Sequence, residues 1–490
     1  MKKCLIVGFD GLRQDSITDE LMPNLRNFID GGCLCQAHRA VFPTETYVNH
    51  PSIFTGAFPK NHGLIANFYY NRPGLSDEIF FDGSSVESIT GNDKQGLLFG
   101  VPTLGQYLGA AGLSMRVIGS NSSGSTRLKH HTAGRYPNHL ALPVRDVSKV
   151  SPAKELAAWR TIHGAGHPLN LPDEAGSRAV VESFFKVEAP KGLADLTVLW
   201  LGEPDHSCHR DGPTGPRTLA ALSQADALFG TILDWRRAEG SRVQLLALSD
   251  HGHVVVDRHS DVKGTLVEAG LRVFSPLDLK NGADINEADL IMAGEYCGGL
   301  WSARPGDMKT VKRAADVLQQ SQDIGLLFSS RPELTADRRS GLFAEALVLT
   351  DHERAPDLRF ITRGDPLSGR TAAESGLPIG GGAHGGLLPQ ELFCLCAWGG
   401  DAFKRETVNM LPSGPADIAA TILRLMDFNP AMIARLDGRA LSECFVNQPP
   451  ATEAAPKTEV LTAERNGFKQ ILRRTGYNNR IYLDQGCRES

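Results

Sequence analysis

The chain has no run of about 20 consecutive apolar residues, so no segment reads as a membrane-spanning helix. It also lacks a long basic tract. With 51 Lys and Arg against 56 Asp and Glu, the formal net charge is −5, which excludes bulk attraction to a nucleic acid polymer. After Lys2 and Lys3 a short apolar run passes straight into Gly8-Phe9-Asp10-Gly11, without the longer apolar stretch and small-residue cleavage site of a secretory leader. The nine cysteines are odd in number and scattered, which predicts reduced thiols in a cytoplasmic protein and argues against a disulfide framework. Cys33-Leu34-Cys35 and Cys394-Leu395-Cys396 sit in apolar stretches and read as buried small hydrophobes. No internal repeat is evident.

What remains is ordinary globular composition, 41% hydrophobic and 22% charged over 490 residues. Such a chain can bury a large core and needs no metal or disulfide merely to fold. A small anionic substrate would need local positive charge, such as metal ions, in so acidic a chain.

Short apolar runs alternate with amphipathic segments. Strands are expected at Cys4–Val7, Met115–Ile118, Leu196–Leu201, Val243–Leu248 and Leu392–Trp398. Helices are expected at Met22–Ile29, Thr103–Ala111, Pro216–Arg237 and Ala416–Met426. Apolar strands alternating with helices predict an α/β fold, a parallel-rich central sheet with helices on both faces. Two stretches break the rhythm. Ser120–Pro190, rich in Ser, His, Pro and Gly, reads as an active-site insertion within a core of residues 1–262 and 376–447. Residues 263–375, carrying a helix at Lys309–Gln320, read as an inserted cap. From Gln448-Pro449-Pro450 a Pro/Ala-rich linker leads into a C-terminal tail, 448–490, with a charged helix expected at Leu461–Arg474. The tail can dock on its own chain or on a neighbour, so a homodimer is one expectation.

Open α/β sheets bind ligands at the carboxyl ends of their strands. Asp10 follows the first strand. Asp205 and His209 follow Leu196–Leu201, Asp250 and His251 follow Val243–Leu248, and His384 precedes the last strand. One Asp after a strand is usually a turn or cap residue, and one His is usually an ordinary hydrogen-bonded side chain. Three of each on converging loops can hold two divalent ions with open positions. Thr44 and Thr46 precede a short helix expected at Pro51–Thr55. A hydroxyl there lies near unsatisfied backbone N–H groups, and a metal would favour its alkoxide. The plain alternative is that either threonine is an N-cap.

Together these segments resemble the alkaline phosphatase superfamily, in its nucleotide pyrophosphatase/phosphodiesterase-like branch. Phe42-Pro43-Thr44-Glu45-Thr46-Tyr47-Val48-Asn49-His50 is similar to that branch's nucleophile motif, and Pro59-Lys60-Asn61-His62-Gly63 through Asn67 to its continuation. Glu203-Pro204-Asp205 through His209 and Ser249-Asp250-His251-Gly252 resemble its metal-binding segments, in the same chain order. The resemblance implies an alkaline phosphatase-like core and a metal-dependent phosphodiesterase in which Thr46 is the nucleophile of a phosphothreonine intermediate. It implies one metal held by Asp10, Asp250, His251 and Thr46, and another by Asp205, His209 and His384. Zinc is the expected metal, and manganese or iron would also suit. Asn67 and the Tyr47 N–H would meet a phosphoryl oxygen, and the Tyr47 ring could stack on a base. Val48 and Cys208 depart from the motif, where the family has proline and glycine, without removing a ligand. His206 and His253 match no ligand position.

No Cys-x-Pro-x-Arg occurs, which argues against the sulfatase branch. Phosphonoacetate hydrolase, which cleaves a carbon–phosphorus bond, is the alternative within the superfamily, with Arg127 and Lys129 as candidate carboxylate contacts. A phosphomonoesterase would want an arginine at the nucleophile, for which Arg13 or Arg39 would have to fold inward. A non-catalytic metal-binding protein would be expected to have lost a ligand or the nucleophile, and here none is missing.

Overall fold

The computed structural model describes residues 2–239, 242–448 and 455–489. An eight-stranded sheet runs through its centre. From edge to edge the strands are Thr407–Asn409, Cys33–Cys35, Cys396–Gly399, Val243–Leu248, Lys3–Asp10, Leu196–Pro204, Met115–Gly119 and Leu140–Pro143. The last five are parallel, whereas Cys396–Gly399 is antiparallel to both its neighbours. The expected parallel-rich α/β core is therefore present.

The apolar strands are explained by what covers them. On one face Leu5, Val7 and Phe9 pack with Leu25, Val180 and Phe229 from helices Pro23–Gly31, Glu174–Ser183 and Pro216–Ala238. On the other, Cys4 and Ile6 pack with Ile53, Leu108 and Ile418 from helices Thr46–Thr55, Leu104–Ala110 and Pro415–Leu425. Burying a side chain such as Ile6 or Phe9 contributes about 2 kcal/mol. Gly8 interrupts the row because Trp200 of the neighbouring strand lies across it. A Cβ at position 8 would come within 2.1 Å of that ring.

The chain leaves the core along Val254–Ser260 and returns along Gly382–Ala383. These two strands pair antiparallel, and Arg370–Glu374 pairs on the other side of Val254–Ser260. Between them lies a six-stranded sheet, in the order Val273–Phe274, Leu290–Ala293, Cys297–Ser302, Leu358–Thr362, Ile324–Ser329 and Phe343–Ala344. Val311, Ala314 and Leu318 of helix Met308–Gln320 pack on it. The stretch Ser120–Pro190 supplies the edge strand Leu140–Pro143 and helix Ser123–Lys129, which lies beside helix Thr46–Thr55.

Two expectations are corrected. The helix expected at Leu461–Arg474 is instead part of a three-stranded antiparallel sheet, Lys457–Arg465, Phe468–Tyr477 and Arg480–Arg488. Burial alternates along it: Leu461 and Ala463 are buried and Thr462 is exposed, as are Phe468, Gln470 and Leu472 against Arg473. That is a period of two, the strand repeat. The tail sheet docks on its own chain through an Arg39–Asp484 ion pair at 2.7 Å and a Tyr482–Asp417 hydrogen bond at 3.0 Å. Residues 449–454 of the expected linker lie outside the described residues. The strand expected at Leu392–Trp398 is confined to Cys396–Gly399, because Pro389 starts a helical turn, Pro389–Leu392. Among the described residues no helix is long and apolar enough to cross a membrane.

Candidate metal centre

The carboxyl ends of the three central strands bring the expected residues together. Asp10 ends its own strand and is fully buried. Its Oδ2 accepts hydrogen bonds from Trp200 Nε1 at 2.8 Å and Asn121 Nδ2 at 2.5 Å. Asp250 Oδ1 accepts from the backbone N–H of Gly11 and of His251, both at 3.1 Å. Asp205 opens helix Asp205–Asp211, which places His209 one turn later on the same face. Asp10 Oδ1 and Asp205 Oδ1 are buried without a hydrogen-bond partner among the described residues, and Asp250 Oδ2 faces His50 Nε2 at 3.1 Å.

Four imidazoles face those oxygens in the same way. The Nδ1 atoms of His209, His251, His253 and His384 lie 3.0, 3.0, 3.1 and 2.8 Å from the carbonyl oxygens of Gly382, Gly252, Gly11 and Thr44. A carbonyl only accepts, so each Nδ1 carries the hydrogen and each Nε2 presents a lone pair. Those lone pairs converge. His253, His209 and His384 Nε2 lie 3.1, 3.3 and 3.6 Å from Asp205 Oδ1, and His251 Nε2 lies 3.6 Å from Asp250 Oδ2 and 3.7 Å from Asp10 Oδ1. His209 and His384 turn Nε2 toward Nε2 at 3.2 Å. Two lone pairs at that distance repel unless a proton or a metal ion lies between them.

The electrostatics agree. Burial, with Asp250 and Asp205 nearby, pushes the Asp10 carboxyl well above its ordinary value. A divalent cation among these oxygens would restore the ionised form. Burial holds His253 down at about 4 and His384 well below its usual range, so both are neutral lone-pair donors. For His209 burial is outweighed by Asp205, which lifts the ring above its ordinary value. Ligand atoms of Asp205, His251, His253 and His384 lie within 4.8 Å of one another, as do those of Asp10, His50 and Asp250. Both groups are nitrogen and oxygen donors of the kind that suits divalent ions, but they are not the two expected sets: His251 falls with Asp205, His209 falls in neither, and His253 and His50 are added.

Thr46 is the first residue of helix Thr46–Thr55, and its Oγ1 lies 3.1 Å from His251 Nε2. Thr44 faces elsewhere: its buried hydroxyl meets Glu391 Oε2 at 2.9 Å and accepts from the Gly385 N–H. The N-cap position belongs to Glu45, so neither threonine is the cap. Asn67 accepts the Tyr47 N–H through Oδ1 at 2.8 Å, so the Tyr47 N–H expected to meet a phosphoryl oxygen is engaged within the chain, and the Asn67 NH2 group is left as the donor. The Tyr47 ring lies against Gly83, and its hydroxyl meets Ser122 at 3.0 Å.

Sequence reasoning passed over two residues. His253 matches no ligand position in the motifs, yet it presents a lone pair like the ligand histidines. Its signal was its place two residues after His251, at the start of a strand that turns it back into the site. His50 closes the nucleophile motif, with no role implied by the resemblance. It lies one helical turn after Thr46, and that spacing was its signal.

A cavity of about 240 Å³ opens beside the site, lined among others by Asn67, Phe68, Glu295, Trp301, His209 and His384. Arg127 and Lys129 do not line it: Arg127 donates to the Lys149 carbonyl at 3.0 Å, and Lys129 is fully buried against Ser125. Arg13 donates to the His253 carbonyl at 3.1 Å, and Arg39 pairs with Asp484.

A family model described as Type I phosphodiesterase / nucleotide pyrophosphatase matches residues 4–386. Ectonucleotide pyrophosphatase/phosphodiesterase family member 7 of Homo sapiens is 27% identical over 277 residues, 54% of this chain and 50% of that protein. A venom phosphodiesterase of Macrovipera lebetinus is 24% identical over 263 residues, 51% of this chain and 25% of that protein. The matches thus span about a quarter to a half of the curated relatives' length. Among solved structures, an inactive threonine-to-alanine variant of murine ectonucleotide pyrophosphatase/phosphodiesterase 5 in complex with AMP has a similar fold. The TM-score is 0.59 at 19% identity, covering 88% of this chain and 96% of that one.

Proposed function

The chain belongs to the type I phosphodiesterase/nucleotide pyrophosphatase family, and from that premise we propose that it is a metal-dependent hydrolase of small phosphodiesters, nucleotides among them, with Thr46 as nucleophile. The observation that carries the reading is the common orientation of four imidazoles, each tied to a carbonyl through Nδ1 and turning Nε2 toward the buried carboxylate oxygens of Asp10, Asp205 and Asp250, beside the Thr46 hydroxyl.

In this reading Asp10, Asp250, His251 and Thr46 would hold one divalent ion, and Asp205, His209 and His384 would hold the other, with His253 facing Asp205 beside them. Zinc suits this donor set best, and manganese or iron would also serve. When bound, the ions would supply charge stabilisation for the entering and leaving oxygens. Thr46 Oγ1 attacks phosphorus, its bond to phosphorus forms as the bond to the leaving alcohol breaks, and water then hydrolyses the phosphothreonine. The Asn67 amide, held by Tyr47, donates to a phosphoryl oxygen. The diester reading over the phosphonate reading is supported by Arg127 and Lys129, which have other partners than the cavity. Arg13 and Arg39 are likewise engaged elsewhere, which weighs against the clamp a phosphomonoester needs. The odd, scattered set of nine cysteines supports a reducing, cytoplasmic setting.

The test is steady-state hydrolysis of bis-p-nitrophenyl phosphate, p-nitrophenyl phosphate and phosphonoacetate by metal-reconstituted protein. Preference for the diester, abolished by a chelator and restored by zinc, is the expected result. Turnover of phosphonoacetate with little diesterase activity would overturn it.

A further inference from the structure

Lys129, the last residue of helix Ser123–Lys129, is fully buried and has no carboxylate within ion-pair distance among the described residues. A buried ammonium without a direct partner is costly, so its surroundings bear on why it is there. Its Nζ donates to Ser125 Oγ at 2.7 Å and lies 4.7 Å from the Trp200 ring centroid. Ser125 Oγ in turn lies 3.2 Å from His50 Nδ1. The other nitrogen of His50, Nε2, lies 3.1 Å from Asp250 Oδ2 and 3.6 Å from Asp10 Oδ2. By position His50 could therefore serve as a further metal ligand.

The donors and acceptors around it favour another role, since the Asp250 and Asp10 oxygens that face Nε2 accept an N–H. An ammonium has donors only, so Ser125 Oγ must accept from it. The hydroxyl hydrogen is then free to turn to the acceptor beside it, His50 Nδ1. With Nδ1 accepting, His50 carries its hydrogen on Nε2. This is the opposite tautomer to that of His209, His251, His253 and His384, whose Nδ1 atoms face carbonyls. His50 thus shows the two carboxylates an N–H and not a lone pair.

We propose that Lys129 is a positioning residue that locks the His50 tautomer through Ser125 and so keeps His50 out of the metal's coordination, leaving that position open for Thr46 and substrate. The proposal rests on the metal-site reading given above. A catalytic ion keeps an open position, whereas an ion with a closed set of protein ligands is structural. Removing the lock should therefore tighten metal binding while slowing turnover. A residue that merely supports the fold would lose both together.

The experiment compares the full-length wild-type chain, Lys129→Met, Ser125→Ala and the double variant Lys129→Met/His50→Gln. It is run at pH 6.5, on the ammonium side of the value near 7 to which burial brings Lys129. Zinc affinity is read by chelator competition, and the His50 tautomer by long-range 15N–1H spectra of metal-free protein, assigned against His50→Gln. Wild type should show the Nε2–H form. Lys129→Met should show the other tautomer or a mixture, bind zinc about tenfold more tightly and turn over bis-p-nitrophenyl phosphate at least about tenfold more slowly. His50→Gln in the double variant should erase the gain in affinity. Unchanged tautomer and affinity in Lys129→Met overturn the proposal, as does a parallel fall in affinity and turnover. Should Lys129→Met fail to fold, Ser125→Ala leaves the lysine in place and makes the same tautomer prediction. If wild type itself binds no zinc, the metal-site reading fails, and the tautomer in metal-free protein still decides the lock.

Discussion

Thr44 and Thr46 stand two residues apart in one segment, and their surroundings separate them. Thr46→Ala should lower diesterase kcat by about a thousandfold or more while leaving the fold intact, measured by steady-state hydrolysis and circular dichroism. Thr44→Ala should instead cost about 1–3 kcal/mol of stability, because Glu391 and the Gly385 N–H lose a buried partner. Urea denaturation would read the difference, and equal loss of activity in both variants without a change in stability would contradict it. Legibility follows the same line. The aspartates at strand ends could be read because loops at the carboxyl end of a parallel sheet converge whatever their sequence. The choice between the threonines could not be read from the segment alone, since it depends on Glu391, more than three hundred residues away in the chain. His253 was hidden for a similar reason: its role is set by the Gly11 carbonyl. His253→Ala is expected to weaken zinc binding about tenfold or more in a chelator competition.

Among the elements, the central strands and their helices were readable because one face or both faces of each are apolar and the periodicity says which. The tail misled because its charges, Glu464, Arg465, Lys469, Arg473 and Arg474, recur at spacings a helix also tolerates. Only pairing between strands tells the two apart. The tail sheet meets the rest of the molecule through apolar contacts of Leu461, Leu472 and Leu483 with Leu326, Phe328 and Phe343. At its centre the buried amide of Gln470 bonds the N–H and carbonyl of Leu327, at 2.9 and 3.0 Å, and the Gly341 carbonyl at 2.8 Å. Gln470→Ala should leave these backbone groups unsatisfied and cost about 3 kcal/mol or more. A shift in the urea midpoint would show it, and an unchanged midpoint would mean that the sheet contributes nothing to stability. Deleting residues 449–490 should likewise destabilise the chain itself, and not simply turn a dimer into a monomer.

For the molecule as a whole, several histidines are buried neutral far from the candidate site. Burial and the nearby Arg39 hold His38 down at about 3, and burial with His352 and Arg354 does the same for His62. Both values are lowered relative to the unfolded chain, so the unfolded state binds more protons below about 6.5. The stability these rings contribute is present above that pH and is lost as pH falls toward 3. Each can steepen the loss by up to about 1.4 kcal/mol per pH unit. The unfolding free energy should therefore drop between pH 7 and 4, and His62→Gln should flatten that slope. A slope unchanged in the variant would mean that the ring is accessible to protons in the folded state.

The six-stranded lobe joins the core by two roots, the strands beginning at Val254 and ending at Ala383. Immediately outside those roots stand His253 and His384, both aimed at Asp205. A cation gathering their lone pairs would rivet both roots of the lobe to the helix that Asp205 opens.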